Sequence, residues 1–341
     1  MIRLFKSTNY DFLKPYRLVS LVSAVFIIPG LLLLAIRGPN YSIEFTGGTL
    51  IRVETAKAVD PTVLRTALSG AGIHGSDIQS FGSDTSFAIR ARLSAEQEQN
   101  EAAAQATSSA VARVLDTALG VGQYRIVRTE AIGPKVGREL QGKALIAILV
   151  SFIGTLIYVA FRFEWRFGVA AVAGTAHDLL ATVAFLTYLD LEISLVLVAA
   201  VLTVKGYSLN DKIVIADRVR ENLRKYRRQN FADLLNLSVN ETLPRTVLTG
   251  GTTFATTVVL SFLAGEVIRP FALVMSFGIV VGTLSSMFIA SQLLLWIEQR
   301  WPGEDARGVR ALAGRGSSSA PTSPSAQSPT SPPPRAPQPA R

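Results

Sequence analysis

The chain has 341 residues, 49% of them hydrophobic and only 17% charged, with a mean hydropathy of +0.34. That is more apolar surface than a soluble protein of this length can hide in its own core, which excludes a secreted enzyme, a cytosolic globule and a disordered chain. With no cysteine and only two histidines, His74 and His177, there is no disulfide framework, no thiolate nucleophile and no Cys- or His-rich metal centre, so neither metal nor cofactor is expected.

Residues 1–17 carry Arg3, Lys6, Lys14 and Arg17 ahead of an uncharged run over 18–36. That run has no small-x-small cleavage site before Arg37 and reads as a retained anchor rather than a signal peptide. Further apolar runs follow, two of which enclose ionisable residues, and each is long enough to cross ~30 Å of hydrocarbon at ~1.5 Å per residue. The expected spans are 18–36, 142–161, 167–189, 193–215, 246–265 and 270–297. The net charge of +9 is concentrated in the N-terminus, the Arg162–Arg166 link and the stretch from Arg218 to Arg228. This alternation follows the positive-inside rule and argues against nucleic-acid binding. It predicts a multi-pass protein of the bacterial inner membrane with both termini cytoplasmic, a cytoplasmic basic loop over 216–245, and a single outward-facing domain over 37–141. Residues 298–341, rich in Ser and Pro, are expected to be a disordered cytoplasmic tail.

Within 37–141, alternation over 41–54 predicts a strand around Gly47-Gly48. Asp60-Pro61 caps a helix whose apolar face is Val63, Leu64, Ala67, Leu68 and Ala71. Segments 78–81 and 86–93 read as a strand pair. Ser94 and Gln97 form a capping box for a helix that ends at Gly120, and 123–132 supplies the last strand. The order β-α-β-β-α-β predicts a ferredoxin-like α+β domain between the first and second transmembrane helices. His74 reads as a solvated loop residue.

Chemistry is expected where charge enters lipid, because an ionisable group there is costly. Three places qualify: His177-Asp178 in the third span, Lys205 in the fourth, and Asn210-Asp211-Lys212 nearer the inner end of the fourth. Counting along the helices puts Asp178 about 16 Å deep and Lys205 near the midplane, so the two are expected to form an intramembrane charge pair. Arg245 opens the fifth span at a depth where it can meet Asp211. The competing reading is that all of these are ion pairs holding a bundle together. The small and polar residues flanking Asp211, namely Gly206, Ser208 and Asn210, favour a proton relay because they admit water and close helix contact.

Several segments together resemble the SecF family of Sec export membrane subunits, within the resistance-nodulation-division superfamily. They are Gly206-Tyr207-Ser208-Leu209-Asn210-Asp211, Asp217-Arg218-Val219-Arg220-Glu221-Asn222, Ser238 to Thr246, Gly282 to Ser286, Ile43 to Gly48 and Ile132 to Gly137. The resemblance covers roughly residues 1–300. It implies pairing with SecD, use of the proton motive force to assist preprotein translocation through SecYEG and release on the outer face, YajC and YidC as further candidate partners, and no enzymatic activity. It also implies that Asp211 and Arg245 are the proton-pathway residues. No ATP-binding Gly-x-x-x-x-Gly-Lys-Ser/Thr run is present. The chain departs from the family pattern at Lys205, usually apolar, at Lys212, usually Thr, and at Glu44, usually Asp. Two other readings are a six-span half of a proton-coupled small-molecule or lipid exporter, and a non-conducting structural subunit.

Overall fold

Long uncharged runs with no competing hydrogen-bond partner close their backbone polar groups internally as helices. The computed structural model describes residues 8–71, 73, 77–81, 83–91, 101–226, 229–265 and 267–302. The capping box at Ser94 and Gln97, His74 and the tail from 303 onward lie outside the described residues. Helix α1 (Tyr16–Arg37) leads into the α+β domain, and α5 (Pro134–Arg162) leads out of it. The helices α6 (Trp165–Tyr188), α7 (Leu195–Lys225), α8 (Phe231–Leu263) and α9 (Arg269–Ser285) follow, with a π-helical turn over Ser286–Ala290 joining α9 to α10 (Ser291–Arg300).

Among the described residues, five helical stretches are long and apolar enough to cross a membrane: Tyr16–Arg37, Lys135–Val159, Trp165–Tyr188, Phe231–Leu263 and Arg269–Arg300. The segment expected at 193–215 is α7, whose apolar run is interrupted by Lys205, Asp211 and Lys212. By composition alone it does not join the five. Helices α1 and α5 expose rows of apolar side chains, Leu21, Val25, Ile28 and Leu32 on one and Leu145, Leu149, Ile153 and Leu156 on the other. Rows of this kind suit lipid and not water.

The stretch 216–245, expected as a loop, is mostly helical. Val219 and Leu223 on α7 and Leu234, Leu235 and Val239 on α8 recur at helical spacing and are buried in one cluster with Phe12. That burial carries both helices past the end of the apolar runs. The N-terminal segment is strapped to α8 by two asparagines one turn apart. Asn240 Oδ1 accepts the Tyr10 N–H and Asn236 Oδ1 accepts the Phe12 N–H, both at 2.9 Å.

In the α+β domain, β1 (Gly48–Thr55), β2 (Asp77–Phe81), β3 (Ser83–Ala91) and β4 (Tyr124–Ile132) form an antiparallel sheet in the order β2-β3-β1-β4. Helices α3 (Pro61–Gly70) and α4 (Glu101–Leu119) cover one face. Their Leu64, Leu68, Val111 and Leu115 bury Ile51, Val53, Phe87 and Ile89. Asp60 caps α3 by accepting the Thr62 N–H at 2.8 Å. The Tyr124 hydroxyl donates to Asp116 at 2.9 Å, and burial beside that carboxylate pushes its pKa up to about 12.

The strand expected over 41–54 begins only at Gly48. Residues Ile43–Thr46 form a single helical turn, α2. Gly47 and Gly48, at φ of 76° and 125°, turn the chain from α2 into β1, a conformation that a side chain resists. Alternation alone cannot reveal such a reversal. A Cβ at Gly137 of α5 would lie 2.9 Å from the Phe45 carbonyl oxygen, so α2 rests directly on α5.

Candidate functional site

Helix α7 carries the charged residues and is packed by close glycine contacts. A Cβ at Gly278 of α9 would lie 2.4 Å from Val204, one at Gly282 would lie 3.1 Å from Ser208 Cβ, and one at Gly174 of α6 would lie 2.7 Å from Lys212 Cε. Missing side chains on α6 and α9 therefore admit the polar face of α7, the way small residues bring membrane helices together.

That face meets Asp178. The Lys212 ammonium lies 2.6 Å from Asp178 Oδ2, and the Ser208 hydroxyl donates to the same oxygen at 2.5 Å. Lys212 also donates to Ser208 Oγ at 2.8 Å. His177 Nδ1 lies 2.9 Å from Asp178 Oδ1. A carboxylate can only accept, so Nδ1 carries the hydrogen, and in the neutral tautomer Nε2 accepts from its other neighbour, the Ser23 hydroxyl of α1. Asp178 and Lys212 are 1% and 3% exposed. A charge so buried persists only when paired and hydrogen-bonded, as both are here.

The pair expected between Asp178 and Lys205 does not form. Lys205 turns to α5, where it donates to the Ser151 carbonyl at 2.5 Å, to Ser151 Oγ at 2.7 Å and to Thr155 Oγ1, with its ammonium 5.1 Å from the centre of the Phe152 ring. Three acceptors meet three ammonium hydrogens. The register between antiparallel helices depends on their link and tilt, and counting along apolar runs supplies neither. Lys212, two turns along α7, is level with Asp178 instead.

Asp211 faces away from this cluster, 3% exposed, with Thr283 Oγ1 of α9 at 3.5 Å. Tyr207 stands one turn away beside Gly250 of α8, where a Cβ would lie 3.7 Å from its hydroxyl. Arg245 is on α8 with its side chain exposed. Its charge acts on Asp211, but no ion pair within 4 Å joins the two described residues. Gly206 and Asn210 lie on the exposed side of α7.

The rest of the 217–222 motif forms a joint where α7 leaves the apolar zone. Arg218 bonds Glu241 of α8 and Glu221, each at 2.7 Å. Asn222 Nδ2 donates to Glu241 at 2.6 Å and to Ser238 at 3.0 Å, and Asp217 reaches Arg162 of α5 at 3.3 Å. Nearby, the buried Arg166 and Glu298, 2.8 Å apart, tie the ends of α6 and α10. The sequence reading missed this ion pair, although both members are charges at the ends of apolar runs. It also missed the Ser23–His177 contact, because a lone serine in an apolar helix gives no signal.

Among the described residues no group of three metal-binding side chains occurs. Fold and site together define a multi-pass helical membrane protein with charged side chains packed between its helices. The family described as protein export membrane protein SecD/SecF, C-terminal, matches residues 112–300, and the SecD/SecF GG motif matches residues 32–59. The chain is 50% identical to the protein translocase subunit SecF of Gemmatimonas aurantiaca over 91% of this chain and 95% of that one. With the SecF of Escherichia coli O157:H7 it shares 36% identity over 84% and 87%. The crystal structure of SecDF from Thermus, a translocon-associated membrane protein, superposes with a TM-score of 0.77 at 35% identity, covering 86% of this chain and 39% of that one. SecDF in its super-membrane-facing form gives 0.63 at 35% identity, covering 87% and 40%. The chain thus spans about two fifths of the SecDF chains it matches. The chain belongs to the SecD/SecF family of protein export membrane proteins, and the curated relatives it matches are SecF subunits of the protein translocase.

Proposed function

We propose that this chain is a SecF subunit that pairs with SecD in the bacterial inner membrane and uses the proton motive force to help preproteins through SecYEG and off its outer face. In this reading α7 is a sixth span despite its charges, both termini are cytoplasmic, and the β-α-β-β-α-β unit is a ferredoxin-like domain on the outer side. The missing three fifths of a SecDF body come from SecD, with YajC and YidC as further partners. No bond chemistry is performed, so the protein is not an enzyme.

The observation that supports the reading is the Asp211 carboxylate, buried in the helical body with a single long hydrogen bond and Arg245 at a distance. A carboxylate held so loosely can change protonation without collapsing the packing around it. One proton falling through ~100 mV releases ~2.3 kcal/mol, enough over repeated cycles to bias helix motions that the outer domain would follow.

The test is preprotein translocation into inverted membrane vesicles with and without an uncoupler. Asp211→Asn keeps the shape and removes the titration. It should fold and bind SecD but lose the uncoupler-sensitive component, and Arg245→Met should do likewise. Full retention of that component by Asp211→Asn would leave the structural-subunit reading in its place.

A further inference from the structure

Asp211 is not the only titratable chain through the helical body. Ser23, His177, Asp178 and Lys212 form an unbroken hydrogen-bonded line from α1 across α6 to α7, with links of 2.9 Å between His177 and Asp178 and 2.6 Å between Asp178 and Lys212. At the Lys212 end lies a cavity of about 20 Å³ lined by Phe167, Ala171, Lys212, Ser286, Ser291 and Leu294. A space of that size admits one water molecule when polar groups line it. Lys212, Ser286 and Ser291 supply them. The cavity lies against the π-helical turn Ser286–Ala290 that joins α9 to α10, with Ser291 Oγ donating to the Ser286 carbonyl at 3.0 Å. Turns of this kind recur at functional sites because they widen a helix locally. Phe167 and Leu294 place the cavity toward the end of the bundle that carries Arg166 and Glu298, the cytoplasmic end in the proposed orientation. At the other end of the line, His177 is 21% exposed while Asp178 and Lys212 are enclosed.

We propose that His177, Asp178 and Lys212 form a second intramembrane proton relay, separate from Asp211, that discharges to the cytoplasmic side through the cavity at Lys212. The inference rests on the proton-driven reading above. Each step moves one proton between named atoms. His177 Nε2 takes the Ser23 hydroxyl proton as that oxygen takes one from a hydronium ion, and Nδ1 gives its own to Asp178. The Lys212 ammonium first gives a proton to water in the cavity, and the amine left behind takes the proton from Asp178. The imidazole ends with its hydrogen on Nε2 and returns to the Nδ1–H tautomer by exchange with water, one proton lost from Nε2 and one gained at Nδ1, so one proton crosses per cycle and no group is consumed. Other charges on the surrounding elements include Asp211 and Lys205 on α7, the paired Arg166 on α6 and Glu298 on α10 at the cavity end, and the more distant Arg245 on α8. On α9 the nearest polar groups are the hydroxyls of Thr283, Ser285 and Ser286, and on α1 it is Ser23. Asp211, the sequence neighbour of Lys212, acts on it electrostatically, so occupancy of one pathway is felt in the other.

The relay is tested in inverted vesicles containing the full chain with SecD, by the uncoupler-sensitive part of translocation and by proton uptake read with a pH-sensitive dye. His177→Gln can keep a donor toward Asp178 and an acceptor toward Ser23 while removing the titration. Lys212→Met combined with Asp178→Asn removes both charges without leaving either alone. Both should lose most of the gradient-dependent component and flatten its dependence on cytoplasmic-side pH, while the gradient-independent component persists. Thermal unfolding of the purified complexes establishes that each variant is folded, and His177→Asn carries the same test if the Gln variant does not accumulate. Full retention of the component by the folded variants overturns the relay and leaves the cluster a packing device. If Asp211→Asn loses the component while these variants keep it, the relay alone fails. If Asp211→Asn keeps it as well, the proton-driven reading fails with it.

Discussion

Glu44 caps α7, its Oε2 accepting the backbone N–H of Leu195 at 2.5 Å. A carboxylate at this position satisfies an orphan donor and meets the positive end of the helix dipole. Because Glu44 lies in α2, at the root of the outer domain, the cap joins that domain to the helix that carries Asp211 and Lys212. Neighbouring bonds strengthen the joint: the Ile193 N–H donates to the Asn40 carbonyl at 2.7 Å, and the Ser42 N–H to the Ile193 carbonyl at 3.0 Å. Arg90 of β3 pairs with Glu192. The domain is therefore attached to the α6–α7 link as well as to α1 and α5, which gives a displacement of α7 a direct route into that domain.

Replacing Glu44 by Ala removes the cap at a cost of about 0.5–2 kcal/mol, whereas Gln keeps an acceptor and costs less. Hydrogen exchange at the Leu195 to Leu197 amides should quicken in Glu44→Ala and change little in Glu44→Gln. Unchanged protection in both would mean that Ser194, whose Oγ accepts the Leu197 N–H at 3.2 Å, suffices on its own.

The outline of the fold was legible in the sequence because it rests on local signals. Uncharged runs long enough for hydrocarbon gave α1, α5, α8 and α9, an apolar run enclosing His177 and Asp178 gave α6, and the Asp60-Pro61 cap gave the start of α3. What could not be read depends on contacts between distant segments. The turn at Ile43–Thr46 is set by α5 and by two glycines at positive φ, and the helicity of 216–245 by the packing of Val219, Leu223 and Leu235. Asp178 and Asp211 stood out as charges in lipid, but the partner of Asp178 depends on helix register, which the sequence does not encode locally.

Lys212→Met leaves Asp178 buried without its cation, and breaking a buried pair in this way costs about 3–5 kcal/mol. Adding Asp178→Asn should return much of that loss, so the two changes are strongly non-additive. Lys205→Met with Asp178→Asn should instead add within about 0.5 kcal/mol, because the residues share no partner. Thermal unfolding of the purified complex measures both cycles. Additivity in the first, or coupling in the second, would restore the Asp178–Lys205 pair.

Lys205→Met should behave oppositely to Lys212→Met. Lys205 is a cation with no carboxylate beside it, and a lysine near the bilayer centre costs about 2.5–3.5 kcal/mol on insertion scales. Two of its three acceptors keep a partner when it is removed, since Thr155 Oγ1 already donates to the Ser151 carbonyl at 2.8 Å. Methionine fills the same volume, so Lys205→Met should be neutral or stabilising in thermal unfolding. It should also loosen α5 against α7, seen as faster hydrogen exchange around Ser151 and Thr155. Clear destabilisation by Met would show that the α5 contact is worth more than the buried charge costs.

Gly278 is the α9 glycine held tightest against α7: an added methyl would lie 2.4 and 2.5 Å from the two Cγ atoms of Val204. Val204 is 1% exposed and surrounded by Leu197, Val201, Met275 and Ile279, so it has no free space into which to rotate. Gly278→Ala should force the helices apart and destabilise the protein by about 1–3 kcal/mol, the usual cost of overpacking a filled core. Val204→Ala by itself removes buried methyl groups and is also destabilising. Combined, the two changes move the bulk from one helix to the other, and the pair should be more stable than the sum of the single effects predicts. Thermal unfolding of the four proteins measures the cycle. If the double variant is as unstable as that sum, the backbone separation at Gly278 is set elsewhere, by the Gly282–Ser208 contact one turn away.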